Sequence, residues 1–199
     1  MATKKYDTII VGIGNTGEEY EHTRHNAGRD IVELAAKTYD FPAFTFDKYM
    51  NALIAEGKIA KQRVLLVRPE TYVNKSGDIF KSLKLAKKDI PQTLLIIHDD
   101  LDLPVGTMKI VQNRGSGGHK GIESIMRALK TEDFARIRIG IAKPAHVKKS
   151  QNKSEVIKIV TSTFSPAEKL LFKKIAKKSV SAIETFVSED AQRAMNEFN

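Results

Sequence analysis

The chain has 199 residues, 41% of them hydrophobic, which suits one domain with a substantial core and excludes general disorder. It contains no cysteine, so disulfides and thiolate chemistry are excluded. A net charge of +9 favours a polyanionic partner such as nucleic acid, while the absence of tryptophan and only 7% aromatics argue against a base-stacking platform.

Met1–Lys5 leads into a strand, not a signal-type apolar run, and no apolar run approaches a membrane span, so a cytoplasmic location is expected. Thr8–Val11 reads as a buried strand. Residues 12–17, GIGNTG, then spell the dinucleotide fingerprint G-x-G-x-x-G. That fingerprint requires a helix with apolar residues directly after the third glycine. Here Glu18–His25 follows, with Tyr20 its only large hydrophobe, which disfavours a nucleotide site. The helical pattern begins later, from Asn26 to about Tyr39, and Phe41-Pro42 ends it.

Met50–Glu56 and Arg63–Val67 are predicted strands joined around Gly57-Lys58. Arg68–Asn74 is predicted as a loop, and Ser76 as the cap of a helix carrying Ile79, Phe80, Leu83 and Leu85. Thr93–Ile97 is almost wholly apolar, the best central-strand candidate, and ends on His98-Asp99-Asp100. Asp102–Gly106 is a predicted turn and Thr107–Gln112 a strand. Gly115–Gly118 is predicted as a mobile loop feeding a helix with Ile122, Ile125, Met126 and Leu129. In Phe134–Ala142 the alternation places Ile137, Ile139 and Ile141 on one face of a strand, Arg136 and Arg138 on the other. Lys143–Ser154 reads as a surface loop and Val156–Val160 as a short edge segment.

Ser165-Pro166-Ala167-Glu168 is a helix start, with cap, proline in the first turn and glutamate three residues after the serine. That helix is predicted to run to about Val187 with Leu170, Leu171, Ile175, Ile183 and Phe186 inward, and Ser188 to begin a last short helix. Lys169, Lys173, Lys174, Lys177 and Lys178 form a stripe along it that suits either solvent or phosphates. Strands alternate with helices without repeat or linker. The expected architecture is a single α/β domain over 1–199, a mixed, twisted sheet flanked by helices.

Three strand-end segments carry polar residues: Asn15 with Tyr20 and His25, Tyr72 with Asn74, and Asp99. In an α/β sheet such ends meet over one crevice. An aspartate that accepts one ring N–H of a histidine fixes its tautomer, leaving the other nitrogen to draw a proton from water. Asparagine amides can support a developing oxyanion. The set suits hydrolysis of an acyl bond by activated water. No G-x-S-x-G elbow is present, so a covalent acyl-enzyme is not indicated. No compact ligand spacing such as H-E-x-x-H appears, so neither metal nor cofactor is expected. Taken singly, loop histidines and asparagines are commonly structural, and a strand-end aspartate commonly caps a turn.

Five co-linear blocks alter that balance. GIGNTGEEYEHTRHNAG at 12–28, Pro69–Gly77, Ile97–Pro104, Gly115–Gly121 and Arg136–Ile141 together resemble the bacterial-type peptidyl-tRNA hydrolase family, over residues 8 to 187. The resemblance implies a peptidyl-tRNA hydrolase-like (phosphorylase/hydrolase-like) fold. It implies hydrolysis of the ester between a peptide and the terminal ribose of tRNA by a cytoplasmic, cofactor-free monomer with no obligatory protein partner. It makes His25 the catalytic base, Asp99 its support, and Asn15 the residue beside the scissile carbonyl that helps reject free-amine aminoacyl-tRNA. Tyr20, Tyr72 and Asn74 become substrate contacts. Arg138 becomes a contact to the tRNA 5′-phosphate, with Lys109 substituting for a family lysine that falls near Val111. Two departures stand out: Lys120 replaces a usual substrate-binding asparagine, and Val73 a usual methionine. Lys120 is expected to face the site and contact the tRNA 3′ end or the oxyanion. The competing reading is a non-catalytic RNA- or protein-binding member of the same fold.

Overall fold

The computed structural model describes residues 6–83, 85–143 and 152–199. Its framework is a seven-stranded sheet built from β1 (Thr8–Gly12), β2 (Thr45–Asp47), β3 (Ala52–Ile59), β4 (Gln62–Pro69), β5 (Leu94–Pro104), β6 (Met108–Gln112) and β7 (Ala135–Ala142). The order across it is β2-β3-β4-β1-β5-β7-β6. β4, β1, β5 and β7 run parallel; β2, β3 and β6 are antiparallel to their neighbours, so the sheet is mixed as expected. Alternation along β5 feeds two cores. Leu95 and Ile97 pack under α1 (Ala27–Thr38), α5 (Pro166–Ser188) and α6 (Ala191–Phe198). Leu94 and Ile96 pack under a 3-10 helix (Val73–Lys81) and α3 (Lys120–Leu129). Burial on both faces explains why β5 carries an unbroken apolar run.

Several boundaries differ from expectation. The β3–β4 hairpin turns at Ala60-Lys61, whose φ angles are 47° and 69°, and not at Gly57-Lys58. A two-residue turn with both φ positive matches the twist of the flanking strands, but Ala-Lys carries none of the usual glycine or asparagine signal. Ser76 does not cap a helix: the 3-10 helix begins at Val73, and the buried Ser76 hydroxyl donates to the Val73 carbonyl. β5 continues through Asp102 to Pro104, with an irregular register after Asp100, so the reversal is shorter than the predicted turn.

Val156–Val160 is not an edge segment but part of α4 (Lys153–Val160), started by an Asn152–Glu155 capping box. The β-branched run favours a strand locally; the cap and tertiary contact override it. Residues 144–151 of the predicted lysine-rich loop lie outside the described residues. α5 starts with the expected Ser165–Glu168 box, but Leu170 and Leu171 point outward, because its first turns overhang the core and burial begins at Ile175. α6 starts from an Asp190 cap, and Ser188 is the last residue of α5. β2 and a short helix, α2 (Ile90–Thr93), had no clear sequence signal. Among the described residues no helix is long and apolar enough to cross a membrane.

Candidate active site

The site is set by how closely α1 approaches the sheet. A Cβ on Gly12 would lie 2.3 Å from the Gly28 carbonyl oxygen, and one on Gly28 would lie 2.2 Å from the Ile97 carbonyl oxygen. Backbone therefore rests on backbone, and the residues just ahead of α1 sit over the end of β5. Gly12 at the end of β1 and Gly28 in α1 make this contact, while a Cβ on Gly14 would run into the Asn26 and Arg29 side chains.

The short segment Arg24-His25-Asn26 is pinned on both sides. The buried Arg24 guanidinium donates to the Ile141 carbonyl at 3.0 Å, the Ser162 hydroxyl at 3.0 Å and the Glu168 carboxylate at 2.7 Å. It also lies 4.8 Å from the Phe164 ring centroid. Burial alone would raise the Glu168 carboxyl, yet its hydrogen bonds from Arg24 and Ser165 bring it down to about 2. On the other side, the Asn26 amide oxygen accepts from the Asn15 N–H at 2.8 Å and its nitrogen donates to the Asn15 carbonyl at 3.0 Å. The Asn15 side-chain oxygen accepts the Val73 N–H at 3.0 Å, leaving its amide nitrogen as the open end. Arg29 and Thr16 both donate to Glu70, each at 2.5 Å, tying this turn to the end of β4.

Between those anchors His25 Nδ1 lies 2.7 Å from Asp99 Oδ1. A carboxylate only accepts, so Nδ1 carries the proton and Nε2 is free to take another. The same oxygen accepts from His119 Nε2 at 2.9 Å. His119 is held in one tautomer, because its Nδ1 accepts the Gly121 and Ile122 N–H groups at the start of α3. Asp99 is 2% exposed. Burial opposes its charge, but the two imidazoles outweigh it and hold the carboxyl well below the ordinary range. Burial likewise disfavours the His25 imidazolium, while the charge and hydrogen bond of Asp99 more than offset this and raise its pKa.

His98 Nδ1 donates to the Asp99 carbonyl at 2.6 Å, and its ring stands edge-on to His119. Burial first, then His119 and Arg136, push its pKa well below the usual imidazole value, so it stays neutral. His25, Asp99 and His119 bring ligand-type atoms within 4.8 Å of one another. Both nitrogens facing Asp99 are already committed as N–H donors, so the trio is built as a proton network more than as a metal cage.

The predicted residues do not all share one cavity. His25, Asp99, Val73, Asn74, Lys120 and the 116–119 loop line a space of about 460 Å³. Asn15 lines a neighbouring polar space of about 440 Å³ with Asn26, Arg29 and Glu70. Tyr20 and Tyr72 meet edge to face at 6.3 Å beside these, with Tyr72 exposed. The Lys120 ammonium is drawn to Glu123 at 3.0 Å, with its side chain 70% exposed. Arg138 donates to Asp100 at 2.5 Å and stands directly across from Lys109 in the β6–β7 register. On α5, Lys178 leaves the predicted stripe to donate to the Phe198 carbonyl.

Arg24, Asn26 and His119 escaped the sequence reading as functional positions. Each lies within one of the family blocks, at 12–28 or 115–121, but in a polar stretch at an element boundary, where a cap or solvent role is the ordinary explanation.

Comparison with known proteins gives the family. The family model described as peptidyl-tRNA hydrolase matches residues 9–199. A peptidyl-tRNA hydrolase of Shouchella clausii is 38% identical over 192 residues, 96% of this chain and 99% of that one. That of Aquifex aeolicus is 35% identical, covering 96% and 95%. The crystal structure of peptidyl-tRNA hydrolase from Acinetobacter baumannii is similar with a TM-score of 0.86 at 32% identity, covering 96% of this chain and 94% of that one. With a match along nearly its whole length, the chain belongs to the peptidyl-tRNA hydrolase family.

Proposed function

We propose that this protein hydrolyses the ester linking a peptide to the terminal ribose of tRNA, with His25 as general base and Asp99 as its support. The observation that carries the mechanism is the 2.7 Å His25–Asp99 hydrogen bond, made beside a cavity with Nε2 unclaimed. His25 Nε2 takes a proton from water as the oxygen attacks the ester carbonyl. Asp99 stabilises the imidazolium, which then returns the proton to the departing ribose oxygen, releasing free tRNA and a peptide carboxylate. The Asn15 and Asn74 amide nitrogens supply donors to the carbonyl oxygen as charge develops on it. No resident metal or cofactor is required by these steps.

Tyr20 and Tyr72 flank the acyl and 3′-terminal end. Lys120 reaches the tRNA 3′ end once it leaves Glu123, and Arg138 with Lys109 faces the 5′-phosphate. A peptide offers its backbone amide to Asn15, whereas an unblocked aminoacyl group offers an ammonium, and a site built for the missing amide rejects it. The protein acts as a cytoplasmic monomer. The test is peptide release from an N-blocked aminoacyl-tRNA. Wild type releases peptide with or without EDTA, and His25→Ala is slower by about 10²–10⁴-fold. Equal rates would remove His25 from the mechanism, and loss of release with EDTA would bring a metal into it.

A further inference from the structure

The cavity beside His25 has two unlike walls. One carries the polar groups, His25, Asp99 and Asn74. The other is mainly apolar: Leu101 on β5, with Val156, Ile157 and Val160 on α4, and the Lys153 side chain at the start of that helix. On α4, residues 153, 156, 157 and 160 fall at the i, i+3, i+4, i+7 spacing of one helix face. In a surface helix such a face normally packs on the core. Here Val160 and Ile159 seat the helix on the larger core, but Val156 and Ile157 belong to neither core, and Ile157 is 51% exposed. Among the described residues their face looks into the cavity.

We infer that this wall is a specificity subsite for the apolar side chains of the peptide's C-terminal residues, next to the ester that is cut. The inference rests on the esterase reading. With the ester carbonyl at the polar wall, the acyl residue's side chain is the group placed to meet the opposite wall. Sugar hydroxyls would go unpaired against Val156 and Ile157, whereas a phosphate would be drawn to Lys120 or Lys153 and away from those two side chains. A terminal base would find no phenylalanine, tyrosine or tryptophan to stack on, since none lines this cavity among the described residues. The volume of about 460 Å³ exceeds what one ester group fills. The enzyme therefore accepts every peptide through its backbone, yet turns over apolar ends faster.

The test uses one tRNA acylated with N-acetylleucine or N-acetylglycine, which isolates the side chain. Wild type should favour the leucyl ester by about tenfold or more in kcat/KM. Ile157→Ser should lower the leucyl rate more than the glycyl rate, shrinking that ratio by about threefold or more. Leu170→Ser, at an apolar and still more exposed residue on α5 outside the cavity, should leave the ratio unchanged. A wild-type ratio near one overturns the inference. So does an equal loss on both esters with Ile157→Ser, which would put the terminal nucleotide on that wall or make the effect structural. If the wild type releases neither ester, the esterase reading itself fails.

Discussion

The two segments that meet at Asp99 are built in opposite ways. Arg24-His25-Asn26 arrives with both neighbours of the histidine buried and hydrogen-bonded through their side chains, and with α1 pressed backbone to backbone on β1 and β5. The segment leading to His119 is open: Cβ atoms placed on Gly115, Gly117 or Gly118 would find nothing within 4 Å. The proposed base is thus preorganised by packing, while the proposed substrate side is flanked by a glycine-rich loop and a thinly seated helix. His119, whose ring both caps α3 and donates to Asp99, links the loop to the fixed side at one end, and Arg136 on β7 donates to the Gly115 carbonyl at 3.0 Å at the other. The contrast fits a hydrolase that must hold one proton relay rigidly and admit many peptides.

The largest effect is expected at the relay. Asp99→Asn should cost about 10²–10⁴-fold in kcat, because an amide can present a donor to His25 and favour the wrong tautomer. Its pH profile sharpens the point. The base works only when neutral, and Asp99 raises the His25 pKa, so activity falls as pH drops through that raised value. Removing the carboxylate should move this acid limb of kcat/KM to lower pH; an unmoved limb would mean that another group sets it.

Next comes the rivet beside the base. Arg24→Met should destabilise the fold by about 3 kcal/mol, since it takes the partner from a partly buried Glu168 and drops bonds to Ser162 and Ile141. Denaturant unfolding measures this, and a cost below 1 kcal/mol would show that Arg24 is not an anchor.

The smallest effect separates the two glycine sets. Gly117→Ala meets open space and pays only for its φ of 61°, about 1 kcal/mol in stability. Gly28→Ala drives a methyl into the Ile97 carbonyl, so it should cost several times more and lower activity by displacing His25. Similar melting temperatures for the two variants would erase the distinction drawn between rigid and open segments.

Much of the fold was legible because its signals are local. β1, β5 and β7 announce themselves as apolar or alternating runs, and α5 by its capping box. Errors fell where local chemistry was weak or misleading, as with a hairpin turn made of Ala60-Lys61 or a β-branched run that is helical in α4. Leu170 and Leu171 look inward by pattern, but a pattern cannot tell where the core beneath a helix ends.

The sequence by itself determined the family blocks, and within them it offered His25, Asp99 and Asn15 as candidates for an acyl hydrolysis. Only the tertiary structure decided that one Asp99 oxygen serves both His25 and His119, that Asn26 and Val73 orient Asn15, and that Arg24 reaches Ser162 and Glu168. It also decided that Lys120 leans to Glu123 and that α4 turns an apolar face to the cavity. The reason is physical. Residue type and spacing state which groups can donate or accept, whereas partners far apart in the chain are chosen by how the parallel strands stack and how closely α1 can approach them.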